Sequence, residues 1–406
     1  MVSLAFGVAC GSSVSPPTSP AGAEVNDPSQ DADEEVSLQQ LYAQVELELR
    51  EGTVAEIPIV QRRSGWVVPA GAVGADAGAL LLDTAGPVLL ATRLIPRDES
   101  AVALGSLPTV DAVGAVAARP VHMLAGLLLG RSALFKGAIA YEGWFEEPSN
   151  ALCVSDSGIL GYTVTGKGAW QLDPVAQRLR IAERAEELPL EGYREFPLEV
   201  TDDGLMWLRV DIEGRELSVT VDTGYFGDIA LTNADFDALF GEAEERRSLV
   251  VVANAGEQIA TDRTVVRPIH VGAPDGIPLT VEVERDGSNS LIGIRALSAL
   301  GGFAWEHSSS RFYLKDGTQE SSVIAPWPFA PRWADGNAVV AVARPDGAAA
   351  GLREGDVLLR ADDYTLEHFE GYCELIRTVT PPRTLVVERD GERVEVDLAP
   401  SSPHSE

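Results

Sequence analysis

The stretch Glu216-Leu-Ser-Val-Thr-Val-Asp-Thr-Gly224 is the most informative part of the sequence. Apolar and polar residues alternate from Leu217 to Asp222, which is the period-two pattern of a strand with one buried face. Residues 207–214 precede it and have the pattern of a partner strand in a hairpin. Gly224 then allows the chain to bend sharply. The sequence therefore predicts an aspartate, Asp222, held at the end of a strand and followed by a tight turn.

A second stretch of the same kind lies earlier in the chain. Residues 57–90 contain two apolar strands, a turn that begins at Asp83, and a third strand. A short apolar segment follows each aspartate: Ile159-Leu-Gly161 ends 78 positions after Asp83, and Leu291-Ile-Gly293 ends 71 positions after Asp222. A hairpin follows each of these segments, at 170–181 and at 303–314. The recurrence of three landmarks in the same order predicts an internal repeat.

The segment Val221-Asp-Thr-Gly224, together with Leu291-Ile-Gly293 and the strands of 303–314, resembles the landmarks of aspartic peptidases, in particular the retropepsin-like domains of bacteria. The resemblance implies a mainly β protein. In it, two tandem retropepsin-like acid-protease β-barrel domains form a pseudo-two-fold dimer within one chain. A fused pair has no need to associate with a second chain, so a monomer is expected.

The resemblance implies that Asp83 and Asp222 form a catalytic pair. Two carboxyl groups close enough to share a proton cannot both ionise, so one acts as a base and the other as an acid. The base activates a water molecule, and the acid polarises the scissile carbonyl of a polypeptide substrate. This chemistry requires neither a metal nor a cofactor. The protons belong to the pair, so the two roles are not assigned to individual residues.

Supporting roles follow from the same resemblance. Thr84 and Thr223 are expected to hydrogen-bond to the opposite loop, and Ala85 and Gly224 to donate backbone N–H groups to the carboxylates. Ala85 departs from the usual Asp-Thr-Gly triplet and is accommodated only at negative φ. Tyr225 stands where a small residue is common. Two interpretations stay open: an active endopeptidase, or a catalytically degenerate, peptidase-like binding or scaffold protein of the bacterial envelope.

Each domain should also carry a flap, the hairpin that closes over the substrate in this family. In the second domain, residues 249–260 have the pattern of a hairpin that turns at Asn254, Ala255 and Gly256. In the first domain, residues 110–116 are the best flap candidate, and a plain surface loop is the alternative.

The C-terminal region contains small residues at 346–350, then Gly351-Leu352 and Gly355-Asp356 before an apolar strand. A helix is predicted at 367–378, and a closing hairpin at 383–398. This order resembles the PDZ domains of bacterial envelope proteases. Such domains bind a C-terminal carboxylate, but no clear apolar-Gly-apolar loop precedes Ala338. The resemblance therefore implies an α+β module that docks the substrate or a partner protein.

Residues 1–9 are apolar and end at Cys10, which resembles the lipid-attachment box of bacterial lipoproteins. The segment lacks a basic n-region, and Gly7 stands where leucine is usual. The resemblance implies a periplasmic or secreted protein of the bacterial envelope, anchored by a lipid on Cys10; an ordinary frayed N-terminus is the alternative.

The predicted divisions of the chain are a signal and disordered tether at 1–40, repeats at 41–187 and 188–320, a Pro-rich linker at 321–337, and the PDZ-like domain at 338–400.

Composition excludes several other classes of function. The formal net charge of −31 argues against nucleic-acid binding, which needs basic surface patches. The cysteines lie far apart, so neither a disulfide framework nor a metal site is expected. The histidines are scattered singly. No Gly-x-Ser-x-Gly motif of serine hydrolases occurs.

Overall fold

The computed structural model describes the chain between residues 38 and 398, with gaps. It covers residues 38–63, 65–110, 116–143, 153, 157–202, 204–241, 246–252, 258–285, 290–316, 327–343, 349 and 351–398. The predictions for residues 1–37, which include Cys10, and for the flap residues Asn254, Ala255 and Gly256 lie outside the described residues.

The protein is mainly β, as predicted. The described helices are short: α1 Leu38–Ala43, α2 Tyr162–Thr165, α3 Asn233–Phe240, α4 Ile294–Ala299 and α5 Phe369–Arg377, with 3₁₀ turns at Thr92–Leu94 and Ala185–Glu187. Within the described ranges, no helix is long and apolar enough to cross a membrane.

The first half of the protein comprises the first fourteen strands. They are β1 Glu46–Leu49, β2 Val54–Pro58, β3 Val60–Arg62, β4 Gly65–Ala72, β5 Ala77–Leu82, β6 Leu89–Ala91, β7 Ala101–Val110, β8 Val116–Leu124, β9 Gly126–Leu129, β10 Ala133–Lys136, β11 Ile139–Gly143, β12 Gly158–Leu160, β13 Ala169–Asp173 and β14 Arg178–Ala182. Most of them form one sheet in the order β1-β10-β9-β4-β5-β12-β6-β11-β8-β7, with β3 beside β4.

The second half comprises the next eleven strands. They are β15 Tyr193–Pro197, β16 Glu199–Val200, β17 Met206–Ile212, β18 Arg215–Asp222, β19 Ile229–Leu231, β20 Arg246–Val252, β21 Gln258–Val271, β22 Ile277–Arg285, β23 Leu291–Gly293, β24 Phe303–Glu306 and β25 Arg311–Lys315. Its main sheet has the order β16-β17-β18-β23-β19-β22-β21-β20, and an additional pairing of β17 with β21.

Strand pairing around the two aspartates follows the same order in both halves. Strand β5 ends immediately before Asp83 and pairs in parallel with β12; strand β18 ends at Asp222 and pairs in parallel with β23. The next strand in each sheet, β6 or β19, pairs antiparallel with β12 or β23 and in parallel with β11 or β22. Each aspartate therefore lies at the carboxyl end of an internal strand, flanked by a parallel neighbour.

A six-stranded sheet joins the two halves, in the order β15-β25-β24-β13-β14-β2. Its centre is the antiparallel pairing of β13 with β24, in which Trp170 lies opposite Trp305. The two indole rings stack with centroids 5.8 Å apart, and both side chains are fully buried. Phe135 and Phe303 extend the stack on either side. These aromatic side chains bury a large apolar area and connect the halves through one continuous core.

The C-terminal unit is a smaller sheet with helix α5. Its strands are β26 Phe329–Ala334, β27 Asn337–Ala343, β28 Val357–Ala361, β29 Tyr364–Thr365, β30 Thr384–Arg389 and β31 Glu392–Asp397. Strand β26 lies inside the range predicted to be a linker, and that prediction is wrong for Phe329–Ala334. Proline is tolerated there because β26 is at the edge of the sheet and has an irregular register between Ala330 and Pro331.

The C-terminal unit packs against the outer face of the first half. Leu81, Leu89 and Ile159 belong to a buried cluster that also contains the apolar residues of the C-terminal sheet. A disulfide between Cys153 and Cys373, which are 220 positions apart, joins the first half to α5. The prediction of no disulfide is therefore wrong. Spacing along the chain carries no information on this pair, because the cysteines meet only through the packing of the C-terminal unit.

Candidate active site

The structure brings Asp83 and Asp222 together at the junction of the two halves. Both side chains are buried, with 0% and 1% of their surface exposed. The alternation of β18 explains the position of Asp222: Leu217, Val219 and Val221 face the central core, and the polar residues between them face away from it.

Two threonines connect the aspartate loops reciprocally. The Thr84 hydroxyl donates to the carbonyl oxygen of Val221 at 2.7 Å, and the Thr223 hydroxyl donates to that of Leu82 at 2.9 Å. Each hydroxyl oxygen also accepts the backbone N–H of the opposite threonine, at 3.1 and 3.2 Å. All four bonds are buried, so each loop fixes the position of the other. The expected contacts of Thr84 and Thr223 with the opposite loop are present.

Each aspartate accepts two backbone N–H groups from its own loop on a single oxygen, Oδ1. For Asp83 the donors are Ala85 at 3.0 Å and Gly86 at 2.9 Å. For Asp222 they are Gly224 at 2.8 Å and Tyr225 at 2.9 Å. The same oxygen, Oδ1, is therefore anchored in both loops, and the two carboxyl groups are held in the same way.

The electrostatic environment favours a protonated carboxyl group at this junction. Burial, and then the neighbouring charge of Asp222, raise the pKa of Asp83 well above its usual range. The N–H groups of Ala85 and Gly86 oppose this increase, and a hydrogen bond to the Asp222 side chain adds to it. Two buried carboxyl groups whose charges interact in this way favour the state in which one of them is protonated.

Ala85 fits the loop without backbone strain, since it is not among the described non-glycine residues with positive φ. Gly224, at the matching position, is needed for a different reason. A Cβ at Gly224 would lie 2.5 Å from Asp83 Cγ, so the second loop has no room for a methyl group there. The two loops are therefore similar in hydrogen bonding and unequal in packing.

A buried polar cluster behind the Asp222 loop was not predicted from the sequence. The Tyr225 hydroxyl donates to Glu284 Oε2 at 2.6 Å, and Arg295 Nη2 lies 3.1 Å from Asp228 Oδ2. Burial, and then Glu282, raise the pKa of Glu284 to about 8. Two features of the sequence could have indicated this cluster: Tyr225, an aromatic residue directly after the Asp-Thr-Gly triplet, and Arg295, an arginine directly after an apolar segment.

A pair of antiparallel strands flanks each segment that was predicted as a flap candidate. Strands β20 and β21 pair antiparallel up to Val252 and Gln258, and β7 and β8 pair up to Val110 and Val116. The connecting residues 253–257 and 111–115 lie outside the described ranges. The chain thus has a long hairpin in each half at the position in sequence predicted for a flap.

The residues of the predicted PDZ motif lie in the C-terminal unit. Gly351 and Gly355 both have positive φ, and Leu352 is buried. Asp356 is 3% exposed and forms an ion pair with Arg389, with oxygens 2.6 and 2.7 Å from the guanidinium nitrogens. Asp356 therefore stabilises the unit internally.

In the described ranges, no cluster of His, Cys, Asp and Glu is arranged to hold a metal ion.

The solved structures to which the chain is similar have aspartic-protease-like folds. They include basic 7S globulin from soybean, with 10% identity, a TM-score of 0.43, and coverage of 66% of this chain and 95% of that one. An aspartic proteinase from Irpex lacteus has 11% identity, a TM-score of 0.40, and coverage of 66% and 98%. A retropepsin-like aspartic protease from Rickettsia conorii has 20% identity, a TM-score of 0.25, and coverage of 30% and 90%. A scan against protein-family models finds no match, and neither does a search of curated proteins.

Proposed function

We propose that the protein is an aspartic endopeptidase that cleaves polypeptides through Asp83 and Asp222. The observation that carries this proposal is the pair of buried carboxyl groups, joined by reciprocal threonine bonds and each anchored through Oδ1. Such a pair can hold one proton at a fixed position, which a lone surface aspartate cannot do.

In the proposed reaction, the ionised carboxyl group takes a proton from a water molecule, and the water oxygen attacks the peptide carbonyl carbon. The protonated carboxyl group donates its hydrogen bond, and then its proton, to the carbonyl oxygen. Collapse of the tetrahedral intermediate breaks the C–N bond. The leaving amine takes the proton that the first carboxyl group removed from water, and one hydroxyl group of the intermediate returns its proton to the second carboxylate. The hairpins β7–β8 and β20–β21 are the elements proposed to cover the substrate and exclude water.

The two halves are proposed to be repeats of one retropepsin-like domain. The matching pairing order of β5, β12, β6 and β11 with β18, β23, β19 and β22 supports this proposal. A single chain then supplies both aspartates, which favours a monomer. The C-terminal unit is proposed to be a PDZ-like module for docking substrate or a partner protein.

A periplasmic or secreted location in the bacterial envelope, with Cys10 as a lipid-attachment site, is also proposed. The disulfide between Cys153 and Cys373 supports it, because structural disulfides form and persist in oxidising compartments.

A second candidate function is a binding or scaffold protein with a degenerate site. Ala85 favours it, since a methyl group replaces hydrogen at the position that corresponds to Gly224. The negative φ and burial of Ala85 allow both N–H bonds to Asp83. The geometry of the loop therefore supports the enzyme better than the scaffold.

The test compares wild type with Asp83→Asn and Asp222→Asn on a reduced, alkylated polypeptide from about pH 3 to pH 8. Each variant should lose cleavage by at least about 1,000-fold, and the double variant should lose no more, because the two carboxyl groups act as a unit. Asp211→Asn is the matched control: Asp211 is 9% exposed and accepts the N–H of Gly214 in a hairpin of the same half. Equal cleavage by wild type and Asp222→Asn would exclude the enzyme.

A further inference from the structure

A buried tyrosine connects Asp222 to a carboxyl group that the proposed reaction does not use. The Tyr225 N–H donates to Asp222 Oδ1 at 2.9 Å, and the Tyr225 hydroxyl donates to Glu284 Oε2 at 2.6 Å. Tyr225 is 1% exposed, and Glu284 is fully buried. Two hydrogen bonds through one residue therefore link strand β22 to the aspartate at the end of β18.

Two glycines enclose Tyr225. A Cβ at Gly227 would overlap the tyrosine hydroxyl, and a Cβ at Gly293 would overlap the ring and the carbonyl oxygen of Tyr225. That carbonyl oxygen also accepts the N–H of Ile294 at 2.9 Å. The ring and the backbone of Tyr225 are therefore confined together.

The first half supports its aspartate differently. Gly86 takes the place of Tyr225 as the second N–H donor. Tyr141 of β11 is the residue that corresponds to Glu284 of β22. Tyr141 pairs with Leu89 of β6, as Glu284 pairs with Ala230 of β19. The hydroxyl oxygens of Tyr141 and Tyr42 are 3.2 Å apart. In the described ranges, the Asp222 loop therefore has a tyrosine bonded to a carboxyl group of a neighbouring strand, whereas Tyr141 of the first half lies at hydrogen-bonding distance from another tyrosine.

Glu282 and Arg295 interact with the charge of Glu284, and Asp228 pairs with Arg295. Glu282 is on the same strand, Arg295 is on α4, and Asp228 follows the Asp222 loop. Arg295 Nη2 lies 3.1 Å from Asp228 Oδ2, and its Nη1 lies 4.0 Å from Glu282 Oε2. Arg295 is thus already engaged by two carboxylates. The hydroxyl of Tyr225 is the closest hydrogen-bonding partner of Glu284 in the described ranges.

We propose that Glu284 is a positioning residue for Asp222 and acts through Tyr225. This inference rests on the proposed peptidase function and deepens it. The bond between Glu284 and the tyrosine hydroxyl keeps the Tyr225 N–H on Asp222 Oδ1, and with it the orientation of the carboxyl group toward the shared proton. Both residues are buried, so their loss should change turnover more than substrate binding.

Four variants test the proposal through kcat and KM on the same polypeptide substrate. Tyr225→Phe removes the hydroxyl and keeps the ring, Glu284→Leu removes the acceptor, and Glu284→Gln keeps an acceptor oxygen. We expect kcat to fall about 10-fold in the first two, with KM within about twofold, and to be largely retained in Glu284→Gln. The kcat of the double variant Tyr225→Phe/Glu284→Leu should be no lower than that of the less active single variant, because both substitutions remove the same hydrogen bond.

Tyr141→Phe is the matched control, since it removes a buried tyrosine hydroxyl at the corresponding place in the first half; its kcat should equal that of wild type. Unchanged kcat in Tyr225→Phe, or additive losses in the double variant, would overturn the proposal and leave the peptidase function standing. Wild-type cleavage that Asp222→Asn does not reduce would overturn both. If Glu284→Leu fails to fold by near-ultraviolet circular dichroism, Tyr225→Phe against Glu284→Gln decides the outcome.

Discussion

A Cβ at Gly224 would lie 2.5 Å from Cγ of Asp83, so the backbone of one aspartate loop is packed directly against the carboxyl group of the other. Carbon atoms in contact are separated by about 3.5–4.0 Å, so a methyl group here must displace Asp83. We predict that Gly224→Ala lowers kcat by at least about 100-fold, because small misplacement of a catalytic group is costly. The kcat for cleavage of the polypeptide substrate by Gly224→Ala and by wild type tests this prediction.

Ala85→Gly is the reverse substitution at the matching position of the other aspartate loop. Ala85 already has negative φ, and its N–H donates to Asp83, so removing the methyl group should keep kcat within about threefold. A large gain of activity in Ala85→Gly would instead identify the alanine as the feature that impairs the site. Full activity in Gly224→Ala would show that Asp83 does not need its present position.

The reciprocal threonine bonds predict a loss of stability that is larger than for an ordinary buried hydroxyl. Thr84→Val and Thr223→Val each leave a carbonyl oxygen and an N–H of the opposite loop without a partner. We expect each to lower the free energy of unfolding by about 2–4 kcal/mol, measured by urea denaturation.

Thr163→Val is the control for these variants. The Thr163 hydroxyl donates to the carbonyl oxygen of Ile139 at 3.2 Å within the first half, so its loss should cost only about 1 kcal/mol. Thr84→Ser keeps the bonded oxygen and should remain close to wild type. Equal denaturation midpoints for Thr84→Val and Thr163→Val would contradict a special role of the bonds between loops.

The mainly β fold and the strands that end at Asp83 and Asp222 could be predicted, because strand alternation and turn residues are local signals. Strand β5 contained a further signal. Leu80, Leu81 and Leu82 are all fully buried, Leu81 toward the C-terminal unit and its neighbours toward the central core. A continuous apolar run indicates a strand covered on both faces, whereas β18 alternates.

Other features depend on contacts that sequence patterns do not encode. The pairing of Cys153 with Cys373 follows from the position of α5 on the first half. The strand Phe329–Ala334 forms despite its proline because it occupies a sheet edge. The bond between Tyr225 and Glu284 joins residues 59 positions apart, and no periodic pattern links a loop tyrosine with one glutamate of a strand.

The buried carboxyl group of Glu284 predicts a pH-dependent loss of stability. Burial, and then Glu282, raise its pKa from 4.5 to about 8, so between these values it is neutral in the folded protein and ionised in the unfolded chain. The unfolded state gains stability by ionising, and the fold therefore becomes less stable as the pH rises from about 4.5 to about 8.

Glu284→Gln has no such group and should lose less stability over this interval. Its free energy of unfolding relative to wild type should therefore increase between pH 5 and pH 8, by at most about 4 kcal/mol. Asp83 is present in both proteins, so the effect of its own raised pKa cancels in the difference. Urea denaturation of the two proteins at both pH values measures this, and parallel pH dependences would contradict it.

The disulfide between Cys153 and Cys373 predicts that reduction weakens the attachment of the C-terminal unit. Denatured, unreduced protein that is produced without lipid on Cys10 should present one reactive thiol, from Cys10, and after reduction all 3 of its cysteines. The double variant Cys153→Ser/Cys373→Ser should have a free energy of unfolding about 2–4 kcal/mol lower, because the crosslink closes a long loop in the unfolded chain. Well below its melting temperature it should keep full peptidase activity, since neither cysteine contributes to the aspartate loops. A reductant should lower the melting temperature of wild type and leave that of the double variant unchanged; equal sensitivity of the two proteins would contradict a stabilising disulfide.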